Sequence, residues 1–448
     1  NGVSLNPQKI ITDITSLAAG RPVCLAYSGG VDSHVLLHLL ATTQHPQLAQ
    51  VRAVHINHDL HKTAEQWAKH CADVASKLDI EFSHINVTVQ DIDELGLEAA
   101  ARKARYQALS DELLPDEVLV TAQHQHDQAE TLLLQLFRGA GPLGLSAMWP
   151  ESQSHGMSII RPLLDVPKQD ILDYAELHQL HWVDDPSNQN IDINRNYLRQ
   201  EIWPLLQQRW PTIEKTISRS AKHCQETSLL LAQLAEQDRE QCQLKHDGHL
   251  SIAAVKQLPL ERQRNLLRFM IETAGYVLPS TAILQRIIED VINAADDKAP
   301  LVRWADAEVR RYRDDLYFQT STDSELPPIE INFTGPAELE LSDDCTLKWQ
   351  LTSGDGLKTS VLNGDLMMRY RQGGEKIRLR GHPQHKSLKQ LFQEWSVPPW
   401  KRATIPLIFV GAELVAVVGY GYAEHYAADT GEKGWLPYLA GDLQPDLD

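Results

Sequence analysis

Short apolar, β-branched stretches recur through the first half of the chain: PVCLAYS (22–28), VRAVHIN (51–57), EFSHINV (81–87) and EVLVTAQ (117–123). Between them the apolar positions switch to helical spacing, over 32–41, 63–78, 97–112 and 128–137. MSIIRPLL (157–164) and a helix from Pro167 to Leu180 continue the alternation, with Pro167 suited to a first helical turn. Strands alternating with helices of this length predict βαβ units, and so an α/β domain with a parallel sheet covered on both faces. In such sheets ligands bind beyond the carboxyl ends of the strands, and the first strand-to-helix turn is a favoured place. Here that turn is Ser28–Ser33.

From about Pro211 to Ala299 the texture is helical, at Leu229–Leu234, Glu261–Ala274 and Thr281–Ala295, with no convincing strand. A hairpin is expected over 303–320, and the Pro-containing acidic stretch Thr322–Asp344 reads as a linker. The last hundred residues mix strand patterns (PLIFV, ELVAVVGYG) with one helix near Lys386–Trp395. The expected organisation is a catalytic domain over 1–215, a mainly helical domain over 216–320, a linker over 321–350 and a small mixed α/β domain over 351–448.

At 448 residues two or three domains are expected. No apolar run reaches 18 residues and the first residues lack a signal-peptide pattern, so neither a membrane span nor secretion is expected. Five scattered cysteines without a C-x-x-C pair argue against a disulfide framework or a cysteine zinc site, and point to a reducing cytoplasm. The net charge of −18 argues against a non-specific nucleic-acid binder, but the charge is uneven. Asp323–Asp344 holds seven acids and no Lys or Arg, whereas Asp365–Arg402 holds nine cations against three acids.

Chemistry begins at Ser28-Gly29-Gly30-Val31-Asp32-Ser33. The glycines bring amide groups close to an anion, Ser28 and Ser33 add hydroxyls, and the following helix presents its positive end. The loop has no lysine, so it is not a Walker A motif. Asp32 would repel phosphate unless it works through a cation, which makes it a Mg²⁺ ligand, a hook for an amine, or a simple helix cap. Further on, Asp127 and Glu130 lie one turn apart and can face one pocket for a metal or an ammonium group.

The loop resembles the S-G-G-x-D-S signature of ATPases that cleave between the α- and β-phosphates. Three more segments are similar to one branch of them, the tRNA(Ile)-lysidine synthetases. GLEAAARKARYQAL (96–109) places Glu98, Arg102, Arg105 and Tyr106 on one helix face. TAQHQHDQAETLLLQLFRGAGPLGL (121–145) carries His124, His126, Asp127, Glu130, Thr131 and a second glycine-rich turn, with Gln123 where the family has the first of two histidines. WVDDPSNQNIDINRNYLRQEIWPLL (182–206) matches at Asp185, Ser187, Asn188, Arg195, Asn196 and Arg199, with Asp184 in place of Glu. RRYRDDLYF (310–318) and KSLKQLFQEWSVPPWKRATIPLIF (386–409) resemble later domains of the longer bacterial members.

The resemblance implies a Rossmann-like, adenine nucleotide alpha-hydrolase-like catalytic domain that uses ATP and Mg²⁺, L-lysine and the CAU-anticodon isoleucine tRNA, without an obligatory protein partner. Lysine would be joined to C2 of the wobble cytidine through an adenylated base, releasing AMP and pyrophosphate. Ser28, Gly29, Gly30, Val31, Asp32 and Ser33 would hold the nucleotide, with the metal on Asp32 and Asp127. Glu130, with Asp127 or Asp32, would take the lysine ammonium; Arg102 and Arg105 would steady the phosphoryl transition state or hold tRNA. Arg195 and Arg199 would grip RNA phosphates or cap a helix, and the basic run with Trp395 and Trp400 would contact RNA. The residue types alone do not separate metal, ammonium and base roles among the three carboxylates. A tRNA thiolase would need paired cysteines, an amidating synthetase would need a glutaminase-like region, and a non-catalytic RNA binder would have no use for the intact carboxylates.

Overall fold

The computed structural model describes residues 5–48, 50–57, 64–89, 97–183, 189–243, 249–295, 300–321, 330–342 and 345–441. The chain divides into two compact units, residues 1–231 and 232–448.

The first unit is built on a six-stranded sheet: β1 (Val23–Ala26), β2 (Val51–Asn57), β3 (Glu81–Asn86), β4 (Val118–Val120), β5 (Glu151–Ser154) and β6 (Met157–Ile160). The strand order is β3-β2-β1-β4-β6-β5, parallel throughout except for the edge strand β5, which pairs antiparallel to β6. Its helices are α1 (Pro7–Ala18), α2 (Val31–Thr42), α3 (Ala64–Lys77), α4 (Leu97–Glu112), α5 (Gln125–Phe137) and α6 (Lys168–Leu177). Then come α7 (Asn194–Tyr197), a π-turn over Leu198–Ile202, and α8 (Trp203–Arg209). The expected βαβ alternation is present; α1 and β5 lie outside it.

Strand side chains alternate between two cores, as a doubly covered sheet requires. Val23, Leu25, Val118, Val120 and Ile160 pack with α1, α2 and α6. Cys24, Leu119, Met157 and Ile159 pack on the other face with Tyr106 and Leu109 of α4. Helix α2 is buried nearly all round, which its almost unbroken apolar sequence dictates.

Where α2 meets α6, His38 Nδ1 lies 2.9 Å from the Tyr174 hydroxyl. Burial, and the charge of His178 beside it, hold the His38 pKa below its ordinary 6.5. The folded protein therefore binds this proton less readily than the unfolded chain. The stability contributed by neutral His38 is present above about pH 6.5 and is lost as pH falls below it. We expect His38→Gln to flatten the decline of the thermal midpoint between about pH 7 and 5; an unchanged slope would remove His38 from the account.

In the second unit, Leu250–Ser251 joins the strands Asp315–Thr320, Ala307–Tyr312 and Leu301–Trp304, in that order, into a four-stranded sheet. The expected hairpin is its centre, registered Asp315↔Tyr312 through Thr320↔Ala307. The helices Leu260–Thr273 and Thr281–Arg286 pack on it. The region expected to be mainly helical thus carries a sheet as well.

The expected linker, 321–350, holds strands instead: Glu330–Phe333, Leu339–Ser342 and the start of Cys345–Ser353. Each belongs to one of two antiparallel sheets that build the C-terminal region. Ile331, Phe333, Leu339 and Leu341 turn toward its core while Glu330, Glu338 and Glu340 stay outside. The acidic charge masked a period-two alternation. The basic run is also less free than its count suggests: Glu375 lies within salt-bridge reach of Arg369 and Arg371, and Glu394 pairs with Lys386. Lys376, Arg378 and Lys389 stand exposed.

Candidate active site

The order β3-β2-β1-β4 reverses direction between β1 and β4, and the crevice beyond the carboxyl ends of those two strands is where such sheets take ligands. The loop Ser28–Gly30 follows β1 and opens α2; His124 follows β4 and opens α5. The two candidate motifs therefore meet at one place in the sheet.

The loop is braced from within. Ser33 Oγ lies 3.0 Å from Ser28 Oγ, accepts from Ser28 N at 3.2 Å and donates to Gly30 O at 3.1 Å. Gly29 has φ +84°, and a Cβ there would sit 2.8 Å from the sulfur of buried Cys71. Gly29→Ala combines a left-handed backbone with a collision, a cost of about 1–3 kcal/mol on backbone strain alone. We expect ATP affinity to fall on the order of tenfold or more, readable by calorimetric titration; ordinary affinity would show that the loop tolerates a side chain there.

Three carboxylates, one lysine, two histidines and two arginines then form a chain. Lys168, at the start of α6, lies 2.5 Å from Asp32 Oδ1. His124 Nε2 stands 3.5 Å from Asp32 Oδ1 and 3.4 Å from Asp127 Oδ2. His124 also caps α5: its Nδ1 accepts from His126 N, and Asp127 Oδ2 accepts from His124 N at 3.0 Å. With Nδ1 an acceptor, Nε2 carries the proton and faces both acids. Arg199 donates to Asp127 Oδ1 at 3.2 Å and to both oxygens of Glu130, at 2.6 and 2.8 Å.

Glu130 has no exposed surface. Besides Arg199 it meets His126 Nε2 at 2.9 Å, and Arg195 Nε at 3.2 Å in a charge contact without hydrogen-bond alignment. Arg195 also donates to Thr131 at 2.7 Å, and the His126 ring stands edge-on to Trp203, 4.4 Å away. Burial raises the Glu130 pKa, but His126 and Arg199 outweigh it and hold the pKa near 2. Burial works against protonated His126, yet Glu130 and Glu214 raise its pKa to about 9. Asp32 is likewise pushed up by burial and pulled below, to about 2, by His124 and Lys168. Asp32 and Asp127 keep 30% and 17% of their side-chain surface exposed, so they are the carboxylates a ligand can reach.

Arg102 and Arg105 are exposed on α4 and are not partners of Asp32, Asp127 or Glu130 among the described residues. Arg102 lies over the ring of Tyr106, 5.0 Å from its centre. The second glycine-rich turn closes the far end of α5, roughly 10–15 Å along the helix from Glu130 and Asp127 at a rise of ~1.5 Å per residue. The side chain of Glu98, and Asp184, Asp185, Ser187 and Asn188, lie outside the described residues. Sequence reasoning missed Lys168, which is 136 residues from its partner and has no local spacing to betray it. It also left Arg195 and Arg199 as RNA or cap residues, whereas both turn inward on Glu130.

Residues 5–206 match a family described as PP-loop domain, 250–317 one described as TilS substrate binding domain, and 366–439 one described as TilS substrate C-terminal domain. A protein of Coxiella burnetii named tRNA(Ile)-lysidine synthase is 42% identical over 438 residues, covering 97% of this chain and 96% of the relative. The chain belongs to the tRNA(Ile)-lysidine synthase family. A Legionella pneumophila member is 37% identical, over 94% of this chain and 96% of its own. Among solved structures, a U34-tRNA thiolase of Methanococcus maripaludis has 16% identity and a TM-score of 0.40, over 57% of this chain and 90% of its own. A TilS C-terminal domain has 18% identity and a TM-score of 0.22, over 25% of this chain and 98% of its own. Both likenesses are too slight to bear on the fold. No helix among the described residues is long and apolar enough to cross a membrane.

Proposed function

We propose that this chain uses ATP to join the ε-amine of L-lysine to C2 of the wobble cytidine in the CAU-anticodon isoleucine tRNA, in the cytoplasm and without a protein partner. The observation that carries the reading is identity above one third, over nearly the whole length, with enzymes named for that product. The cytidine O2 attacks the α-phosphate of ATP and pyrophosphate leaves. The lysine amine then adds at C2, and the C2–O bond breaks as AMP departs with the former O2.

The residues fit the parts of this scheme. Gly29, Gly30 and the start of α2 offer amide groups to phosphate, and Ser28 and Ser33 offer hydroxyls. Among the described residues no cluster of three His, Cys, Asp or Glu side chains forms a metal cage. Mg²⁺ suits a site of one or two carboxylates completed by substrate phosphates, and partly exposed Asp32 supplies one; bound there, the ion would neutralise phosphate charge. Lys168, already on Asp32, supplies the positive charge that the loop itself lacks. Asp127 with Asp32 receives the lysine ammonium and takes its proton; fully buried Glu130, expected in that role, instead anchors Arg199. Arg102 and Arg105, exposed on α4, contact tRNA phosphates, as do Lys376, Arg378 and Lys389.

The test is transfer of labelled lysine to this tRNA with AMP and pyrophosphate as co-products, omitting tRNA and lysine in turn. Release of ADP, or label remaining free, would sink the proposal.

A further inference from the structure

Two segments that look unrelated in sequence, 310–318 and 386–409, interlock in the second unit. The hairpin turn Tyr312–Asp315 is bolted inward by Asp314, whose backbone oxygen accepts from Ile252 N at 2.7 Å and whose side chain accepts from Ala253 N at 2.8 Å and from the Ser251 hydroxyl. Its neighbour Arg313 points the other way. Arg313 donates to Gln393 O at 2.9 Å and to the Ser396 hydroxyl, just beyond the helix Leu388–Glu394. Both Arg313 and Ser396 sit in the left-handed region, at φ 55° and 57°, a conformation that non-glycine residues hold only where their surroundings impose it.

A second set of contacts closes the same seam. The Trp400 ring stands edge-on to Tyr312 and Tyr317, at 6.1 and 5.4 Å between centres, with the Arg310 guanidinium over its face at 5.1 Å. Arg402 donates to the Tyr312 hydroxyl at 3.2 Å and to Val397 O at 2.8 Å. Trp400 is therefore committed to the seam rather than offered to a base. Trp395, the other expected stacking residue, lies flat on Tyr420 at 5.2 Å.

We infer that Arg313, Tyr312, Trp400 and Arg402 form a clasp that locks residues 250–317 and 366–439 into one body, so that both grip a single tRNA with their spacing set in advance. The inference rests on the proposed function for its ligand. Two linked binding surfaces gain affinity only as far as their geometry allows simultaneous contact, and pre-set geometry lowers the ordering cost. Opening the clasp turns one rigid grip into two loosely tethered ones.

The experiment is filter binding of full-length CAU-anticodon isoleucine tRNA and of its isolated anticodon stem-loop to the full chain. In the double variant Arg313→Ala with Trp400→Ala, the Kd for full-length tRNA is expected to rise on the order of tenfold. The stem-loop Kd is expected to stay within about twofold. Arg313→Ala alone, an exposed position that leaves the indole packed, is expected to move in the same direction by about threefold and decides the matter if the double variant unfolds. An unchanged Kd for full-length tRNA, or equal weakening of both RNAs, overturns the clasp. Because binding is read without turnover, a wild-type protein that makes no lysidine would remove the proposed function while the clasp is still judged on Kd.

Discussion

Asp32→Ala is expected to abolish pyrophosphate release, by about 10²–10³-fold or more, while tRNA affinity stays within about twofold. Asp32 is the carboxylate at the start of the phosphate-loop helix, partly open to solvent and already holding a cation at 2.5 Å. Removing it leaves Lys168 and the helix terminus as positive charge, so ATP should still bind. What disappears is the group that, on the proposed function, would fix a cation against the phosphates and, through His124, the spacing to Asp127. Asp32→Asn keeps the shape and loses the charge, and is expected to behave like alanine. The check is pyrophosphate release with saturating ATP, tRNA and lysine, beside tRNA filter binding. Wild-type release from either variant would take Asp32 out of the chemistry, and parallel loss of tRNA binding would make its role structural.

The parts of this site that the sequence made legible are those set by local spacing. The glycines and serines of 28–33 announce a phosphate loop because a tight turn into a helix needs them within six positions. Asp127 and Glu130 announce a shared pocket because one helical turn separates them. Lys168 could not be foreseen, since only the packing of α6 against α2 brings it to Asp32. Arg199 was visible but misdirected: the i, i+4 pattern gives a common face for Arg195 and Arg199 without saying which way that face turns. The π-turn that places Arg199, Leu198–Ile202, has no spacing signature in the sequence, and such turns recur at functional sites. In the second unit the charge run at 323–344 obscured strands whose inward Ile331 and Phe333 alternate with outward polar groups. Trp400 looked like a stacking platform because a sequence shows the aromatic ring but not the hairpin that covers it.

Glu130→Gln is expected to lower the melting temperature of the catalytic unit, and this outcome separates an anchor from an ammonium ligand. Glu130 is buried, with both oxygens engaged by Arg199, Oε1 also by His126, and Arg195 in charge contact with Oε2. Neutralising it leaves two guanidiniums and a protonated imidazole with Asp127 still on Arg199 and Glu214 on His126. Breaking a fully buried ion pair costs about 3–5 kcal/mol. Arg199 keeps 37% of its side-chain surface exposed, so solvent screening reduces the figure to about 2–3 kcal/mol. For a domain of this size that is a fall of roughly 5–10 °C. Arg199→Met should cost a similar amount, and the double variant less than the sum, because each single change strands the other's charge. Lysine transfer should fall with kcat, as Arg199 loosens its hold on Asp127, while the KM for lysine moves little. If Glu130 received the ammonium directly, the pattern would reverse: a raised KM for lysine with an unshifted melt.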